Sequence, residues 1–169
     1  VVVHGGPVLE HGYLLPHLEP LAADYELIFY DQRLSGRSAG TVASESVRIA
    51  TFVDDIEALR ETLGLGRIHL TGHSWGGMLA MQYAIRHGGN LRSLVLLDSM
   101  AASAELWQAE EAAVAELISL EVAAEIEAFR NSEGMQQRRP DAIEAMLRMT
   151  FRVQFADPDK ADLLELYVP

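Results

Sequence analysis

The stretch Arg67-Ile68-His69-Leu70-Thr71-Gly72-His73-Ser74-Trp75-Gly76-Gly77, continuing to His87, decides the fold. RIHLT at 67–71 is a short apolar run of strand length. From Gly76 the chain carries Met78, Leu79, Met81, Tyr83 and Ile85 through a helix-length segment, which Gly88-Gly89-Asn90 closes. Between strand and helix lies Gly72-x-Ser74-x-Gly76. A serine hydroxyl projects from the carboxyl end of a strand only where the backbone turns sharply into a helix, and a Cβ two residues to either side would crowd that turn. The N–H of Trp75 then points to where an oxyanion would form, at a helix start whose dipole favours negative charge. Ser74 is therefore the candidate nucleophile and the Trp75 amide a candidate oxyanion donor. The plainer alternative is a tight strand-to-helix turn without chemistry.

Upstream, Val1–Val3 is a β-branched run followed by the turn His4-Gly5-Gly6-Pro7, where two glycines let backbone approach a substrate carbonyl. Residues 11–23 contain Pro16 and Pro20 and predict a short or broken helix. Tyr25–Tyr30 reads as a strand stopped by Asp31-Gln32-Arg33, and the Ser- and Gly-rich residues 34–46 as a loop. Ile49, Phe52, Val53, Ile56, Leu59 and Leu63 form one helical stripe ended by Gly64 and Gly66. Downstream, Leu91–Leu97 is a further strand ending at Asp98. Four strands separated by helical segments predict βαβ units, an α/β fold with a parallel sheet flanked by helices.

The character changes near Met100. Residues 101–169 are Ala- and Glu-rich and hold most of the excess acid, with helical spacing over 104–130, 141–152 and 160–166 and a break at Asn131–Gly134. The expected organisation is a core over residues 1–100 and a helical segment over 101–169. The acidic run is read first as a solvated helix face.

Composition excludes several classes. The net charge of −12 argues against a phosphate-binding surface, hence against nucleic acid, and against adhesion to an anionic membrane. With no cysteine there is no disulfide framework, thiolate metal site or Cys nucleophile, and the cytoplasm is a compatible, expected location. At 49% hydrophobic and 22% charged the chain is not of a disordered composition. No apolar stretch reaches the roughly 18 residues of a membrane-spanning helix, and no secretory-type leader is evident.

HGGP at 4–7, YELIFYDQRLSGRS at 25–38 and GHSWGG at 72–77, in this order, resemble the α/β-hydrolase superfamily and, within it, the proline iminopeptidase-like group. The resemblance implies Ser74 as nucleophile, the N–H groups of Gly6 and Trp75 as oxyanion hole, and a helical cap where residues 101–169 stand. It implies no metal and no organic cofactor, and a small-molecule or short-peptide substrate. Acidic residues among Glu105–Glu127 would then attract a substrate ammonium group. The chain departs from the group at Val8 and Leu34, where glycine is usual, which reshapes the expectation for the oxyanion loop and for the loop after Arg33.

The triad is incomplete on this reading. After Ser74 the sole histidine is His87, thirteen residues along the next helix, or roughly 20 Å at 1.5 Å per residue. His4, His11, His17, His69 and His73 precede the nucleophile, whereas the order in this fold is Ser, acid, His. Asp98 is the candidate acid, since some α/β hydrolases keep it after this strand; the iminopeptidase-like group is expected to place it one strand later. The alternative for Asp98 is a helix-capping role. A chain that opens within a strand and stops at Val168-Pro169 inside the helical segment is expected to be cut at both ends. The expected activity is acyl transfer by a serine hydrolase, an aminopeptidase first, with a carboxylesterase or small-amide hydrolase as alternative. A non-catalytic binding protein on the same fold is the third reading. Oligomeric state is left open.

Overall fold

The computed structural model describes residues 1–6, 9–40 and 47–163, without the side chains of Leu117 and Asp162. The chain divides into two compact units, one ending at Ala102 and the next beginning at Ser103. The first contains β1 (Val2–Val3), α1 (Leu15–Leu18), α2 (Ile49–Thr62), β2 (Ile68–His73), α3 (Trp75–His87) and β3 (Leu91–Leu97). The sheet order is β1-β2-β3, parallel throughout. Parallel neighbours need a crossover, and α3 supplies the one between β2 and β3.

Sequence reading expected four strands, and the described residues form three. Tyr25–Tyr30 makes a single parallel bridge, Phe29 to Val2, with Val2 N–H donating to the Ile28 carbonyl at 2.9 Å. The physical reason lies in the next residues. Instead of continuing the ladder, the His4 carbonyl accepts from the Gln32 side chain at 2.6 Å, and the Gln32 backbone N–H goes to the His4 ring at 3.0 Å. Side chains take the bonds that a second and third strand pair would have used. Residues 11–23 are short as expected, two 3₁₀ turns (His11–Leu14, Glu19–Ala23) around α1, with Pro16 and Pro20 in first-turn positions.

Helix α2 starts with a reciprocal cap in which Thr51 Oγ1 accepts from the Arg48 N–H and donates to the Arg48 carbonyl. Its stripe buries Phe52, Val53 and Ile56, while Ile49 and Leu63 at its two ends stay about half exposed. These side chains meet Leu70, Leu79 and Tyr83 in the core. Each fully buried aliphatic side chain contributes about 1.5–3 kcal/mol. The opposite side of the sheet presents His69, Thr71 and Val95 to a cleft of about 470 Å³, also lined by Tyr25 and Ile28. His69 is exposed there, its Nδ1 hydrogen-bonded to Ser93 Oγ at 2.7 Å.

The second unit is helical: α4 (Ala104–Leu117), α5 (Leu120–Arg130), α6 (Glu133–Gln136) and α7 (Pro140–Arg152). Ser103, Ser119 and Ser132 each cap a helix by accepting an N–H of its first turn. Asn131-Ser132 forms the expected break, but Glu133 and Gly134 already belong to α6. The helix expected over 160–166 is a 3₁₀ turn at Pro158–Leu163, and its last three residues lie outside the described ones. Among the described residues, no helix is long and apolar enough to cross a membrane.

Candidate active site

Ser74 links the end of β2 to the start of α3 with φ 51° and ψ −120°. A residue with a Cβ in such a region costs about 1–3 kcal/mol unless its surroundings over-determine it. Here they do. The Ser74 N–H donates to the carbonyls of Leu97 and Asp98, both at 3.1 Å. The Ser74 carbonyl accepts from Gly77 (2.9 Å), Met78 (3.3 Å) and Met100 (3.1 Å). Both backbone groups are thus committed, and the half-buried residue has its hydroxyl without a hydrogen-bond partner among the described residues.

The flanking glycines are required by approach, not by φ. A Cβ on Gly72 would run into the Gly76 carbonyl, and one on Gly76 into the carbonyls of Val3 and His4. The elbow therefore packs directly against the end of β1. The turn after β1 lies equally close, since a Cβ built on Gly5 would stand 3.1 Å from Ser74 Cβ. The structure thus brings His4-Gly5-Gly6 and Ser74-Trp75 together. Gly6 has φ 52°, a conformation glycine adopts freely. The Gly5 N–H is committed to Tyr13 Oη at 2.7 Å. Trp75 is the first residue of α3, where N–H groups have no intrahelical acceptor. Pro7 and the departure at Val8 lie outside the described residues. Leu34, the other departure, has φ 70°, so the backbone keeps the left-handed turn that glycine would suit.

Each of the six histidines is accounted for, and among the described residues none hydrogen-bonds the Ser74 hydroxyl. His4 is fully buried; burial, the largest effect, lowers its pKa, and the neutral ring accepts from Gln32 N–H and meets the Gly5 carbonyl at 2.8 Å. His73 meets Tyr13 Oη at 2.7 Å, and burial lowers its pKa against the opposing charge of Asp98. His11 bonds Asp31, His69 bonds Ser93, His17 is exposed, and His87 packs on Tyr83 at the far end of α3. Asp98 follows β3 directly, exposed and with φ 40°, and its carbonyl holds the Ser74 N–H.

Two groups escaped sequence reasoning. Gln32, 1% exposed, accepts from Trp75 Nε1 at 3.0 Å and donates to the His4 carbonyl, so it touches both halves of the site. The signal was a polar residue directly after a strand-like run, which reads as a loop residue until its partners are known. The second is Glu10, His11 and Asp31, whose ligand-type atoms lie within 4.8 Å of one another. Burial works to raise the Asp31 pKa, but bonds from the His11 ring and from the Arg37 and His11 N–H groups prevail and bring it down to about 2. Glu10 is likewise occupied by the Gly12 N–H at 2.8 Å. This cluster is a clasp that fastens the loop after Asp31 to the turn at 10–14.

Comparison with known proteins identifies the fold family. A family model described as alpha/beta hydrolase fold matches residues 1–158. A proline iminopeptidase of Clostridioides difficile is 31% identical over 150 residues, covering 88% of this chain and 51% of that protein. One of Clostridium botulinum is 38% identical over 112 residues, covering 66% of this chain and 38% of that protein. The crystal structure of a proline iminopeptidase of Mycobacterium smegmatis superposes with a TM-score of 0.64 at 26% identity, over 96% of this chain and 56% of that one. The chain spans about half the length of the first of these relatives, and it belongs to the α/β-hydrolase fold family.

Proposed function

We propose that the complete protein is a serine hydrolase acting by acyl transfer, with Ser74 as nucleophile. The observation that carries this reading is the strained Ser74 backbone, pinned by hydrogen bonds on both sides while its hydroxyl is left for another partner. In the proposed reaction Ser74 Oγ attacks the substrate carbonyl carbon and loses its proton to a general base. The oxyanion is held by the N–H groups of Gly6 and Trp75, aided by the amino end of α3. The leaving group departs with a proton, and water then cleaves the acyl-enzyme. The Tyr13 bond to Gly5 supports Gly6 as the donor of its turn, because it uses up the preceding N–H.

Among the described residues no histidine hydrogen-bonds the Ser74 hydroxyl, so the reading takes its base from outside the 169 residues, in keeping with a relative of which the match covers 51%. Asp98 remains the candidate acid from within them. The proposed substrate is a short peptide that loses its N-terminal residue, in the manner named for the proline iminopeptidases it resembles. Residues 101–169 are proposed as the helical cap, and the acids among Glu105–Glu127 as residues that attract a substrate ammonium group.

The test uses the complete gene product. A fluorophosphonate probe is expected to label it at Ser74, and Ser74→Ala to abolish labelling and turnover without unfolding. Aminoacyl-naphthylamides set against p-nitrophenyl esters separate peptidase from esterase; ester cleavage without amine release overturns the peptidase assignment. The lack of a histidine base bonded to Ser74 among the described residues favours a second reading, a binding protein on this fold. Failure of the intact protein to label would decide for it.

A further inference from the structure

We propose that Gln32 is a positioning residue that sets the two oxyanion donors relative to each other. The proposal rests on the acyl-transfer reading above.

One residue reaches both donors by separate routes. The Gln32 backbone N–H donates to His4 Nε2 at 3.0 Å, which makes Nε2 the bare nitrogen of that ring. The proton is then on Nδ1, which donates to the Gly5 carbonyl at 2.8 Å. Burial lowers the His4 pKa and so favours the neutral ring that this tautomer needs. The Gly5 carbonyl and the Gly6 N–H belong to one planar trans peptide, so they point in opposite directions. Holding the carbonyl against His4 therefore turns the Gly6 N–H the other way.

The second route runs through the Gln32 side chain. Its Nε2 donates to the His4 carbonyl at 2.6 Å, and its Oε1 accepts from Trp75 Nε1 at 3.0 Å. A carbonyl only accepts and an indole only donates, so these partners fix which way the amide faces. Trp75 is further held edge-on to Phe52, with ring centroids 5.8 Å apart. The residue that donates one oxyanion bond is thus tied, through one buried amide, to the base of the turn that donates the other. Ser35 Oγ closes the assembly by donating to the Gln32 carbonyl at 2.8 Å. Oxyanion donors act only when pre-set at the right separation, and a misplacement of about 1 Å costs up to about a hundredfold in rate.

The experiment measures kcat, KM and thermal midpoint of the complete protein and of Gln32→Met, Gln32→Glu, Trp75→Phe and the Gln32→Met/Trp75→Phe double variant. Gln32→Met cuts both side-chain bonds, Gln32→Glu keeps an acceptor for the indole, and Trp75→Phe removes the indole N–H together with part of the ring system. Expected is a loss in kcat of about tenfold to a hundredfold for Gln32→Met and Trp75→Phe, with KM within about twofold. The double variant is expected to be no slower than the worse single one, and Gln32→Glu to recover part of the loss. If Gln32→Met does not fold, Trp75→Phe alone reads the same link. Unchanged kcat in a folded variant, or losses that multiply in the double one, overturns the proposal while leaving Ser74 chemistry intact. A wild type that neither labels nor turns over overturns both.

Discussion

Ser74 holds its φ of 51° because five backbone hydrogen bonds leave it nowhere else to go, and Gly72 and Gly76 permit the approach that makes those bonds. Adding one methyl group at Gly76 drives it against the Val3 and His4 carbonyls, which are backbone and cannot rotate away. Gly76→Ala is therefore expected to lower unfolding free energy by about 2–3 kcal/mol, the scale of overpacking, with the elbow displaced as well. Urea denaturation of both proteins checks it; a variant as stable as the parent contradicts the packing described. Leu34 is the contrasting case, a side chain in the left-handed region at φ 70° where a glycine would be unstrained.

At the scale of elements, α2 and α3 are joined by Glu57. Its carboxylate accepts from Arg60 at 2.7 and 2.9 Å, from Tyr83 Oη at 2.6 Å and from Asn90 Nδ2 at 2.9 Å. The Arg60 bond is the largest influence, outweighs burial, and with the Tyr83 and Asn90 bonds holds the Glu57 pKa at about 2 against 4.5 for an ordinary glutamate. A group with a depressed folded pKa stabilises at pH above its unfolded value and loses that contribution as pH falls towards its folded value. Glu57→Gln is accordingly expected to destabilise by about 1.5–3 kcal/mol at pH 7, the range for hydrogen bonds to a charged group. The difference from wild type should shrink between pH 4.5 and about 2. Denaturation midpoints at pH 7, 4 and 3 measure this, and a gap that stays constant with pH rules out the ionised hub.

For the whole molecule, burial is unequal. The first unit encloses Val3, Val53, Ile56, Leu70, Leu79 and Tyr83 at 1% exposure or less, whereas the described residues of the second bury few apolar side chains, among them Ile126 and Ala142. Amide hydrogen exchange is expected to be slowest in β2, α2 and α3 and faster by orders of magnitude across α4–α7; equal protection in the two units would contradict this distribution. Local signals in the sequence determined the strand–elbow–helix of 67–87, the stripe of α2 and the change to helices near Met100. Each rests on patterns spanning at most about a dozen neighbouring residues: alternation, helical period, and glycines where no Cβ fits. What joins distant segments was decided by the tertiary structure alone. Tyr25–Tyr30 has the composition of a strand, but its pairing depends on what His4 and Gln32 do with their own hydrogen bonds, 28 residues apart. The Gln32–Trp75 bond, the Tyr13–Gly5–His73 contact and the four-way hub at Glu57 likewise join polar atoms from separate elements. A polar side chain carries no periodicity that names its partner, so such bonds become definite only when the packed sheet and helices bring both atoms to one place.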